Sequence, residues 1–359
     1  MTEFARRLGL LQRALARKPF DALYVGCRAN VRYLTGFTGS SGELLVTAHE
    51  ATLCTDGRYT TQAAEQTNGI KIAVSTEISP LELMIERIAA ERIRSLGFEA
   101  NRIGYMQHRT LLEARPKLRL EPVEGWIESF RAVKSDDEIE ILRRSAALNS
   151  SVFEAVVARW RPSWTERRVA GEIVYEISRQ GGEGPSFEAI VAGGTHSALP
   201  HASPRPVRPP RRSLIVLDHG AILGGYASDM TRMASWGDPG PEARRIFDAV
   251  LEAQLAALDT VKSGVMAKTV DRAARNVLKK HGFAEYFSHS TGHGLGLEIH
   301  ERPKLGQKET VRLQEGMVIT IEPGAYVPEI GGVRIEDMVV VRRSGCEILT
   351  PTPKALRIL

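Results

Sequence analysis

Short apolar runs bounded by glycine-rich turns alternate with amphipathic helical stretches over roughly the first 130 residues, as in an α/β domain. Ala22-Leu23-Tyr24-Val25 and Leu44-Leu45-Val46-Thr47 read as strands, and helical periodicity fills 60–66 and 80–96. The pattern changes around 130–135, where Ser135-Asp136-Asp137-Glu138 is a helix start signal opening a long helix to about Trp160. The boundary is placed there: an N-terminal domain over 1–132 and a second domain over 133–359. The second part echoes itself. Helices at 136–160 and 165–180 lead to the apolar strand Leu214-Ile215-Val216-Leu217, followed by Asp218; helices at 241–262 and 267–281 lead to Val318-Ile319-Thr320-Ile321, followed by Glu322. Each half delivers an acid at the end of a buried strand.

With 359 residues, 43% hydrophobic and 25% charged, the chain is too long and too ordinary in composition for a disordered tail, a collagen-like repeat or a disulfide-stapled miniprotein. Cys27, Cys54 and Cys346 are odd in number and far apart, which fits reduced thiols. No signal-peptide pattern opens the sequence and no run approaches a membrane span, so a cytoplasmic protein is expected. The net charge of +5 raises the question of nucleic acid. The basic residues are scattered, and their densest cluster, Arg205, Arg208, Arg211 and Arg212, is threaded with prolines, as in a stiff solvated loop. Neither a nucleic-acid nor a membrane partner is expected.

Asp218 and Asp229 flank a glycine-rich segment that reads as a hairpin. A turn centred on Leu223-Gly224 would set the two carboxylates directly opposite each other, and a loop centred on Glu329 would pair Glu322 with Glu336 in the same way. Directly opposed like charges destabilise a sheet unless protons or metal ions compensate them. Four carboxylates from two meeting hairpins would balance two divalent cations. The competing reading is solvated or salt-bridged strand ends, with Arg232 neutralising Asp229 and Arg334 neutralising Glu336.

His289, His293 and His300 fall in a segment whose three glycines and one proline make it a loop. Imidazole is both the commonest side-chain metal ligand and a proton carrier near neutral pH. Gly292-x-Gly294-x-Gly296 lacks the full dinucleotide fingerprint. His201 is a further candidate, whereas His219 should point to the face opposite Asp218.

Four segments, Asp218-His219-Gly220-Ala221 through Asp229-Met230-Thr231-Arg232, Gly292-His293-Gly294 through His300-Glu301-Arg302-Pro303, Ile321-Glu322-Pro323-Gly324 and Val333-Arg334-Ile335-Glu336-Asp337, resemble in order and spacing the pita-bread metallopeptidases that cleave bonds to proline. Residues 33–42 and 55–59 look more like the N-terminal domain of Xaa-Pro aminopeptidases (aminopeptidase P) than that of Xaa-Pro dipeptidases (prolidases). The resemblance implies an α/β (α+β) chain: a small creatinase-type N-terminal domain followed by a pita-bread domain with pseudo-two-fold halves.

It further implies Asp218, Asp229, His293, Glu322 and Glu336 as ligands of two divalent metal ions, Mn²⁺ ahead of Co²⁺ or Zn²⁺. His201, His300 and Arg334 are implied as catalytic residues and His289 as a substrate-binding residue. The implied activity is release of the first amino acid from peptides with proline in second position. A prolidase and a non-catalytic peptide-binding module are the alternatives. A homo-oligomer, dimer or tetramer, is implied, in which the N-terminal domain contacts a neighbour's site, with Arg58 a residue to examine there. His219 where an apolar residue is usual, and His196 where Asn is common, leave the substrate preference open.

Overall fold

The computed structural model describes residues 2–359 and divides into two compact units, one ending at Arg131 and one spanning Ala132–Leu359. In the first, six strands form one mixed sheet in the order Lys71–Ser75, Ala51–Asp56, Gly42–Thr47, Ala22–Val25, Ser95–Glu99, Arg119–Val123. The strand Ala22–Val25 is buried at all four positions, as its unbroken apolar run requires. The helix expected over 80–96 is shorter. It starts on a Ser79–Glu82 capping box and covers Pro80–Ala90, because Arg92 turns the chain at φ 57. Asp21 then accepts the Arg94 and Ser95 amides, both at 2.9 Å, and leads Ser95–Glu99 into the sheet beside Ala22–Val25.

In the second unit the helix Asp136–Ala158 begins with Ser135 and Glu138 as a capping box. Ile139, Leu142, Ala146, Phe153 and Val156 are buried at helical spacing along it. Glu166–Arg179 follows, capped by Thr165. The echo in the sequence extends further than the helices. Pro241–Thr260 and Ala267–Lys280 repeat the helix pair, and each pair precedes three antiparallel strands joined in the same order: Ile190–Gly193, Leu214–His219 and Met230–Ser235 in one half, Gly292–Gly294, Val318–Ile321 and Asp337–Val341 in the other. Each central strand is fully buried, and each ends beside one of the acids singled out in the sequence. Among the described residues no helix is long and apolar enough to cross a membrane.

Candidate active site and metal centre

Strand Leu214–His219 divides its side chains between two cores. Leu214 and Val216 pack with Ile246 and Phe247, whereas Ile215 and Leu217 pack with Val152 and Ile177. The same alternation separates Asp218 from His219. His219 is enclosed in the core, stacked on Phe153, with Nδ1 2.5 Å from Asn149 Oδ1, and burial pushes it down to about 3.

The register of this hairpin differs from the expected one. Asp218 lies opposite Thr231, not Asp229, because the turn is Gly224-Gly225, with φ of 58° and 77°, the paired positive angles of a tight hairpin turn. Moving the turn by one position shifts the register by two, which preserves the face each side chain occupies. Asp229 therefore still reaches the cavity that Asp218 lines. In the other half, Ile321 pairs with Asp337 and Gly324 with Arg334, both in the register that opposes Glu322 to Glu336 about a turn at Glu329.

All nine residues singled out for chemistry (Asp218, Asp229, His293, Glu322, Glu336, His201, His289, His300 and Arg334) line one cavity of about 1150 Å³. Ligand atoms of Asp229, His293 and Glu336 lie within 4.8 Å of one another. His293 Nε2 is 3.6 Å from Asp229 Oδ2 and 3.5 Å from Glu322 Oε1. His300 stands against the His293 ring at 4.5 Å, and His289 Nε2 is 2.7 Å from the Tyr326 hydroxyl.

The arginines do not play the parts the sequence suggested. Arg334 pairs with Asp218 rather than Glu336; it also donates to Tyr326 Oη at 2.7 Å, Pro200 O at 3.1 Å and Thr231 Oγ1 at 3.2 Å. Glu336 is instead held by the Thr231 hydroxyl at 2.8 Å. Arg232 leaves Asp229 alone, since strand alternation sends it away to Asp337 Oδ1 at 2.7 Å and the Thr352 carbonyl.

Electrostatics set this cluster apart from ordinary strand ends. Burial, with repulsion from Glu336, Asp218 and Glu322, drives the Asp229 carboxyl far above its usual range. Burial and repulsion from Glu322 and Asp218 do the same to Glu336. Burial raises Glu322 to about 8, with Arg334 opposing and Asp218 adding. His293 is pushed down to about 4, mainly by burial, and so stays neutral and able to ligate at neutral pH. Asp218 Oδ1, Asp229 Oδ1 and Glu336 Oε1 are buried with no hydrogen-bond partner. Inward-facing orphan carboxylate oxygens beside a neutral imidazole are what oxygen- and nitrogen-ligated divalent cations require. The residues present fit a metal centre.

Several participants carry no motif of their own. Tyr326 bridges His289 and Arg334, and the only hint of it in the sequence is its alternation along the strand Gly324–Val327 with Gly324. Thr231 was detectable as the residue two beyond Asp229, on the same strand face. Asp271 and Arg275 lie on the distant helix Ala267–Lys280. Asp271 accepts the Thr291 hydroxyl at 2.9 Å, while Arg275 holds the carbonyls of Phe287 and His289.

Residues 140–343 match the model of metallopeptidase family M24, and residues 7–133 match the creatinase/prolidase N-terminal domain. An Xaa-Pro dipeptidase of Pyrococcus horikoshii is 36% identical over 95% of this chain and 95% of its own length. Among solved structures, an Xaa-Pro dipeptidase from Bacillus anthracis superposes with a TM-score of 0.95 at 35% identity, covering 99% of this chain and 100% of that one. An X-Pro aminopeptidase from Thermotoga maritima does so with a TM-score of 0.90 at 32% identity, covering 97% and 99%.

Proposed function

The chain belongs to metallopeptidase family M24 with a creatinase/prolidase N-terminal domain, and from that premise we propose that it removes the first residue from peptides whose second residue is proline. The observation that carries this reading is the cavity. At about 1150 Å³ it exceeds the ~300–1,000 Å³ usual for small-ligand pockets, leaving room for peptide beyond the proline.

Asp218, Asp229, His293, Glu322 and Glu336 would hold two divalent ions, for which the carboxylate-rich donor set favours Mn²⁺. When bound, such ions supply Lewis-acid polarisation of the scissile carbonyl and activation of water at neutral pH. The protein's own groups do the rest. His201 and His300 face the cavity, positioned to donate hydrogen bonds to developing negative charge or to carry a proton. Burial, with His201 adding, lowers His300, which favours the neutral ring, able to accept a proton at one nitrogen and to donate a hydrogen bond from the other. His289, neutral because burial and Arg334 hold it at about 4, has Nδ1 on Ser290 O and Nε2 on Tyr326 Oη, so it would orient substrate by the packing of its fixed ring. Arg334 holds Asp218 in place and braces Pro200, the residue before His201. A bond to proline has no amide N–H to grip, so recognition must come from such lateral contacts.

A dipeptidase is the second reading. Lys304 and Lys308 line the cavity, and a cationic wall suits the free carboxylate of an Xaa-Pro dipeptide. Incubation with Mn²⁺ and a panel of Xaa-Pro and Xaa-Pro-Xaa peptides, read by mass spectrometry, separates the two. Release of the first residue from the longer peptides is expected. Cleavage of dipeptides alone would replace the first reading with the second.

A further inference from the structure

Glu166 opens the helix Glu166–Arg179, a position where an acid is usually solvated, yet it has no exposed surface. Its carboxylate gathers partners from both ends of one irregular segment. Gly193 N donates to it at 2.9 Å and His196 Nδ1 lies 3.1 Å away; from the far end Arg205 contributes its backbone N, Nε and Nη2, each at 3.0 Å. The helix start adds main-chain ties, Glu166 N to Val207 O at 2.9 Å and Arg167 N to Arg205 O at 3.0 Å.

What lies between those ends is functional surface. Beyond the short helical turn Gly194–Ala198, Pro200, His201, Ala202, Ser203 and Pro204 all line the cavity. Ser197 accepts the Gly332 amide at 2.8 Å and Arg334 donates to Pro200 O, so the inner side of the segment is fastened to the strand Gly331–Arg334. Its outer ends are fastened at Glu166. An exposed imidazole on an irregular segment keeps a fixed position only if the segment's ends are fixed.

We propose that Glu166 is a positioning residue, its carboxylate tying residue 193 to residue 205 and thereby setting where His201 stands in the cavity. The proposal rests on the reading of His201 as a group that acts on the substrate. It also gives a role to His196, which supplies one of the ties. Arg205, one of the arginines of the arginine-proline cluster, is held by this carboxylate.

The test is a double-mutant cycle of Glu166→Gln and His201→Ala, with kcat and KM measured on whichever of Ala-Pro-Ala and Ala-Pro the wild-type protein cleaves and manganese content measured for every variant. Glu166→Gln puts an amide N–H against Arg205 donors and opens the clamp without changing side-chain size. It is expected to lower kcat about tenfold or more, with KM and bound manganese unchanged within about twofold. In the His201→Ala background the same substitution should change kcat by less than about twofold. Arg205→Lys, which keeps the charge but loses the fork, should reproduce the effect in weaker form, and it stands in for Glu166→Gln should that variant not fold. A wild-type kcat in Glu166→Gln, or an equal loss with and without His201, overturns the positioning role while leaving His201 as assigned. A wild-type kcat in His201→Ala overturns both.

Discussion

Removing metal should make this protein less stable as pH rises, and Glu322 gives the size of the effect. Its folded carboxyl titrates near 8, against 4.5 for an unperturbed glutamate. A raised acid stabilises the fold fully below its unfolded pKa, and that contribution is lost as pH climbs through the folded value. Each pH unit between the two costs about 1.4 kcal/mol, so from pH 5 to pH 8 Glu322 alone should remove about 4 kcal/mol from the metal-free chain. His289 and His293, held near 4, and His219, held near 3, pull the other way below about pH 6.5, because their unfolded forms take up protons that the folded forms refuse. Comparison with Glu322→Gln cancels the histidine contributions and leaves that of Glu322 together with the part of the Asp229 and Glu336 shifts that its charge causes, which acts in the same direction. Urea unfolding of both EDTA-treated proteins at pH 5, 6, 7 and 8 should show wild type losing about 4 kcal/mol relative to the variant across the range. A constant difference, or one that grows in favour of wild type, would refute the assignment of Glu322 to a desolvated, like-charged cluster. If Glu322 ligates Mn²⁺ as proposed, the ionised carboxylate would be the bound form, so with the ion present the trend should disappear and metal uptake near pH 7 should release protons.

Two substitutions test the scaffold around that cluster. Tyr326→Phe removes the hydroxyl that lies 2.7 Å from both His289 Nε2 and Arg334 Nη1; kcat should fall about tenfold with manganese content retained, and an unchanged kcat would show the bridge to be idle. Gly292→Ala would place a methyl 2.0 Å from the Thr320 carbonyl oxygen, beside His293, at a cost of about 3 kcal/mol or more. Calorimetry should show a melting temperature lower by roughly 6–12 °C, and an unchanged one would contradict the close strand approach.

The periodicity of the sequence revealed most of the architecture because the apolar runs from Ile139 to Val156 and from Leu214 to Leu217 keep helix and strand spacing; the glycine-rich segment around His293, which reads as a loop, instead carries the strands Gly292–Gly294 and Glu301–Leu305. Local chemistry that competes with periodicity was harder to read. The apolar positions Ile93 and Leu96 continue the helical pattern of 80–90, yet a positive φ at Arg92 and the Asp21 carboxylate, which binds the Arg94 amide 73 residues later, turn them into a loop and a strand. At the site, spacing placed the acids on the right faces because faces repeat every two residues, and the misplaced turn went unpunished for that reason. Which arginine meets which acid was not legible. Arg334 reaches Asp218 across 116 positions, and Arg232 lies on the wrong side of its strand for Asp229. Asp271 and Glu166 lie far from any motif, and Tyr326 lies just past one; all three act through contacts that only the folded chain brings together.

Metal stoichiometry tests the central claim most directly. Equilibrium dialysis against saturating Mn²⁺, with the ion counted by mass spectrometry, should find two per chain in wild type and fewer than one in Asp229→Ala, whose carboxylate lies beside both His293 and Glu336. A wild-type chain that takes up no manganese, or an Asp229→Ala chain that still takes up two, would contradict it.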